Sequence, residues 1–131
     1  SSGERNQTVA MLHEEGAFLV AKINWAVSGS SAIQAPVVGV TGGTLTVTKY
    51  DTTIGTVTVT LSGADMTLTR GANPASILNN TDTMVSNLSF THTFAGGANP
   101  ESVKALFTLS ARTPDGKTIS QDFTTTKYLR R

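Results

Sequence analysis

The chain has 131 residues, which fits one domain able to bury roughly two-thirds of its unfolded surface. Its makeup is 38% apolar and only 15% charged, with no cysteine; this excludes a disordered chain, a disulfide scaffold and a thiolate metal site. The net charge is +1 and the charges are scattered, which argues against nucleic acid as a primary partner, because such binders carry a basic patch or stripe.

The chain opens on Ser1-Ser2-Gly3, in the manner of an expression scar or a truncation point, and no apolar run approaches the ~20 residues needed to cross a bilayer. From about residue 4 to 27 the pattern is helical. Val9, Leu12, Gly16, Leu19, Ile23 and Ala26 recur at alternating spacings of three and four, which places them on one face. Met11, Phe18 and Trp25 widen that stripe on one flank, and Glu14, Glu15 and Lys22 take the remaining surface. Ser28-Gly29-Ser30-Ser31 ends the helix. The packing face is therefore expected at Val9, Leu12, Leu19 and Ile23, against a sheet.

The rest, from about residue 37 to 131, reads as strands. Leu45 and Val47 begin an alternation that closes at Tyr50, and Val57, Val59 and Leu61 alternate with Thr56, Thr58 and Thr60. Met66 and Leu68 follow. The segment from Gly71 to Thr83 is polar and reads as a long loop. Leu88, Phe90, His92 and Phe94 then share one face, as do Val103, Ala105, Phe107, Leu109 and Ala111, and finally Ile119, Gln121 and Phe123. Thr53-Ile54-Gly55, Ser62-Gly63-Ala64-Asp65 and Pro114-Asp115-Gly116 are hairpin turns, and Ala95 to Pro100 is a looser connection. The predicted fold class is α+β: a single domain with one N-terminal amphipathic helix packed on one antiparallel sheet.

Catalytic chemistry finds little support. The two histidines stand apart: His13 reads as a solvated helix residue, and His92 as a partly buried packing residue. No G-x-S-x-G elbow occurs, and neither Gly42-Gly43 nor Gly96-Gly97 opens onto a helix N-terminus, so neither is a phosphate cradle. Asp51, Asp65, Asp82, Asp115 and Asp122 are isolated and lack calcium-loop spacing; Asp65 and Asp115 sit where a side chain caps a turn. Glu14 and Glu15 diverge by about 100° on a helix and cannot act as a pair. Sequons at Asn6, Asn79 and Asn87 are of a kind this composition produces by chance. The Lys127, Arg130 and Arg131 cluster reads as a solubilising tail. No catalytic, cofactor or metal residue is expected.

One series of segments carries a resemblance. The helix end Ile23-Asn24-Trp25-Ala26-Val27-Ser28 leads through a Ser-rich stretch to Pro36, then to Gly43-Thr44-Leu45-Thr46-Val47 and Met66-Thr67-Leu68-Thr69-Arg70. Val85-Ser86-Asn87-Leu88-Ser89-Phe90, Val103-Lys104-Ala105-Leu106-Phe107-Thr108-Leu109 and the closing Phe123 to Arg130 complete it. In order and spacing the chain resembles the type IV pilin and type II secretion pseudopilin superfamily, most closely its minor subunits of the J or W type. The resemblance implies a pilin-like fold and a structural filament subunit. It would be made as a precursor anchored in the inner membrane by an apolar half-helix preceding this sequence. The soluble domain would stand in the periplasm or at the cell surface, with other pilin or pseudopilin subunits as partners. Competing expectations are an extracellular β-rich binding module, an adhesin or carbohydrate-binding sandwich, and a phage or capsid structural protein.

Overall fold

A computed structural model describes residues 2–129; Arg130 and Arg131 of the basic tail, and Ser1 of the N-terminal tripeptide, lie outside them. The helix α1 runs Ser2–Val27, a rod about 39 Å long at 1.5 Å per residue. Glu4 sits in its first turn, where an anion complements the helix dipole. Its end follows the Ser-Gly signal. The Ser28 N–H and hydroxyl both donate to Asn24 O at 2.9 Å, and Gly29 turns out of the helix at φ 64°, a conformation glycine adopts without steric cost.

Among the described residues nine strands follow: β1 Ser30–Ala35, β2 Thr41–Gly42, β3 Leu45–Lys49, β4 Thr56–Ser62, β5 Asp65–Arg70, β6 Ser76–Ile77, β7 Thr83–Thr93, β8 Ser102–Arg112 and β9 Thr118–Tyr128. The single sheet expected from the sequence is not what forms. The strands divide into two antiparallel sheets, one in the order β1-β3-β4-β5-β6 and the other in the order β2-β7-β8-β9. Both local hairpin series, β3-β4-β5 and β7-β8-β9, pair as the turns dictate. What separates them is the connection from Gly71 to Asp82, which leaves β5 paired on its far side only to two-residue β6 and delivers the chain to the other sheet. Alternation shows that a strand has one buried face. It cannot say whether a helix or a second sheet covers that face.

The strand region also begins earlier than expected. Ser30 to Ala35 forms β1 on the edge of the first sheet, beside β3. The supposed loop from Gly71 to Thr83 contains β6 and the first residue of β7.

The helix lies mainly on β8 and β9 and reaches β4 and β1, while β4 and β5 approach β7. A single core fills the space between, built from Leu19 and Ile23 of α1, Val47 and Val57 of the first sheet, and Phe90 and Phe107 of the second. In β7 the inward positions change parity. Thr83 and Val85 are buried before a bulge, and Leu88, Phe90 and His92 after it. Ser86 pairs with Thr108 and Ser89 with Leu106, so Asn87 and Leu88 together face Phe107, with Asn87 at φ 56°. Such a bulge adds one residue and redirects every side chain beyond it. Phe94, expected on the inner face, falls beyond the strand and is exposed.

Candidate functional site

The helix face is the element the sequence singles out, and the structure places its residues individually. Leu12, Leu19 and Ile23 are fully buried, and Val9 is partly buried against the same core. Two residues differ from expectation. Phe18 does not widen the stripe: it is 48% exposed, with the Lys22 ammonium 5.6 Å from its ring centroid. Glu15 is not on the remaining surface but buried. Helical geometry explains Glu15, which lies about 40° from Leu19 around the axis. Phe18 lies about 100° away, on the flank where Met11 and Trp25 pack against the core but it does not. Position outweighs polarity here. The Asn80 N–H donates to Glu15 Oε1 at 2.7 Å, and Oε2 is buried without a hydrogen-bond partner.

Gly16 marks the closest approach of helix to sheet. A Cβ built there would stand 2.1 Å from Cζ of Phe123, so the ring occupies the space a side chain would need. Phe123 in turn stacks on Phe107, its cross-strand partner, with centroids 5.3 Å apart.

The helix C-terminus has no basic residue in its own last turn, and β3 supplies one. The Lys49 ammonium, 6% exposed as a residue, donates to the carbonyls of Trp25 and Ser28 and lies 4.4 Å from the Trp25 ring centroid. Arg70 stands over the same indole at 4.6 Å. Burial, and then the neighbouring Arg70 charge, hold the Lys49 pKa below its ordinary 10.5. The charged form is thus penalised on folding. Stability should rise as pH climbs from the lowered Lys49 value towards 10.5, where the unfolded chain also loses its proton. Lys49→Ala is expected to lose that alkaline rise, and at neutral pH to lose about 2 kcal/mol by leaving two carbonyls without a donor. Urea denaturation at several pH values checks both.

The titratable groups brace turns and straps. His13 is exposed on the helix. His92 is buried: its Nδ1–H donates to Pro36 O at 2.7 Å, and Nε2 faces the Glu101 carboxylate. Backbone bonds from Gly39 N–H to His92 O and from His92 N–H to Val40 O complete the strap. Asp51 accepts from the Thr53 hydroxyl at 2.6 Å and from its N–H at 3.0 Å, which lowers its pKa. The Thr113 hydroxyl does the same for Asp115 in the β8–β9 turn.

Asn79 is a residue whose role the sequence did not reveal. Instead of presenting a sequon at the surface, it is buried. Its Oδ1 accepts from Met66 N–H at 2.7 Å, and its Nδ2 donates to Thr83 O and Asp65 Oδ1, both at 3.3 Å. It ties the inter-sheet connection to the start of β5. No local pattern announces such a latch.

An open groove of about 450 Å³ runs beside the helix, lined by Met11, Glu14, Glu15, Phe18, Leu78 and Asn80. Among the described residues no three His, Asp or Glu side chains converge as a metal-ligand set. Compared with family models, curated proteins and solved structures, the chain matches none of them.

Proposed function

We propose that this protein is a structural subunit of the minor pilin or pseudopilin kind, acting in the assembly of a type IV pilus or type II secretion pseudopilus. It would work mechanically: the β-sheets and the docked helix make a rigid head, and head-to-head contacts with other subunits prime or terminate a filament. The precursor would be held in the inner membrane, with the head in the periplasm or at the cell surface.

The observation that supports this reading is the long N-terminal helix, clamped to the head from its middle to its C-terminus. Leu12, Leu19 and Ile23 are buried from its middle onward, Gly16 meets Phe123, and Lys49 fastens its last turn. A rod fixed to a head at several points transmits force without bending at the joint. A second reading, an extracellular binding module, draws on the exposed Val37, Val38, Val40 and Phe94.

The gene sequence ahead of Ser1 and the fate of the full-length product separate the two. For a filament subunit, a short basic leader and about 20 apolar residues precede this domain, and co-expressed prepilin peptidase shortens the product. The shortened product is then recovered with sheared filaments. A secretory signal ending in an A-x-A site, with no processing by that peptidase, favours the binding module.

A further inference from the structure

Two sheets have four edges, and three of them are blunted. β1 carries two register shifts along its pairing with β3, β2 and β6 are two residues each, and β7, which β2 covers only at Phe90 and Thr91, carries the bulge at Asn87 and Leu88. These are the devices, bulges and very short strands, by which natural sheets avoid adding a strand from another chain. The fourth edge has neither. β9 is 11 residues long, carries no proline, and pairs with β8 without a register shift from Thr118 to Tyr128. No strand among the described residues pairs with its outer side. On its solvent-facing side Thr118, Ser120, Thr124 and Thr126 are short and polar, with Asp122 between them and the exposed Tyr128 at the strand's end.

We propose that β9 is a docking edge for a second copy of this chain, the two β9 strands pairing antiparallel about a twofold axis at Phe123. Such a pairing is isologous, so each copy offers the other the same unpaired N–H and C=O groups. The register follows from full overlap. With Phe123 opposite itself, Thr118 meets Tyr128 of the second copy, and all residues of β9 are paired. It is also a register the charges permit. The charged residues of β9 are Asp122 and Lys127. Asp122 then faces Thr124, and Lys127 faces Ile119, so no like charges stand directly opposite. A register centred on Asp122 would set two carboxylates against each other. The Asp122 carboxylate is already held by the Thr108 hydroxyl at 2.7 Å, which fixes its place on the outer face.

This inference does not depend on the filament reading, since it concerns the soluble chain alone. Sedimentation equilibrium of that chain, from micromolar concentrations to about 1 mM, tests it together with two single variants at one exposed position. A reversible monomer–dimer equilibrium is expected. Thr124→Asp places carboxylates opposite Asp122 twice in the dimer and should weaken it about fivefold, whereas Thr124→Lys makes two opposite-charge pairs and should tighten it about fivefold. The dilute monomer should stay folded in both, with a cooperative melt lowered by no more than the small difference in strand propensity, because Thr124 is solvent-facing. A chain that stays monomeric throughout overturns the proposal. So does a dimer indifferent to both variants, since its interface must then lie elsewhere.

Discussion

Leu19→Asp is expected to abolish cooperative folding. Leu19 is fully buried at the centre of the helix face, where an ionised carboxylate has no donor and no water. The cost, several kcal/mol, joins the loss of the leucine's own burial, and together they consume most of the roughly 5–15 kcal/mol by which domains of this size are stable. Ile23→Asp should behave alike. Ala17→Asp, on the exposed side of the same helix, should lose only about 1 kcal/mol, the helix-propensity difference between the two residues. Urea denaturation followed by near-ultraviolet dichroism reads all three. If the Leu19 and Ile23 variants melt like the parent, the helix is not docked as described.

The second large effect is expected for Phe107→Ala, at about 3–5 kcal/mol, or a fall in Tm of about 10–20 °C. Phe107 is 2% exposed and supports Phe123 by stacking at 5.3 Å. Removing it opens a cavity at the sheet centre and frees the ring that fills the gap above Gly16. The loss should therefore exceed that of Phe123→Ala, whose ring is only partly buried at the sheet edge. Because the rings touch, the double variant should lose less than the two single losses combined, by about 0.5–1.5 kcal/mol. Strict additivity would show that the stacking contributes nothing.

Periodicity carried the local part of this protein. The three-and-four spacing of Leu12, Gly16, Leu19 and Ile23 defines a helix face in any fold, because 3.6 residues per turn is a property of the backbone. Likewise Val57 and Val59, or Val103 to Ala111, alternate because successive strand residues point to opposite sides. The short Gly-containing turns then fix which strands become hairpin neighbours. The missing terms were non-local or depended on single backbone angles. The Asn87 bulge reverses the inward parity of β7, and an asparagine at positive φ has no distinctive neighbours in sequence.

The sequence by itself determined the helix, the longer strands β3, β4, β5, β8 and β9 with their antiparallel hairpins, and the greasy side of each, since those depend on contacts within a few residues. The short β1, β2 and β6 and the parity change in β7 it did not show. Only the tertiary structure decided that the strands split into two sheets and that Glu15 and Asn79 are buried. It alone decided that Lys49, from β3, closes the end of α1. Each of those outcomes depends on groups far apart in the chain finding one another. Their free energy comes from satisfying buried polar atoms and filling shared volume, and no window of neighbouring residues records either.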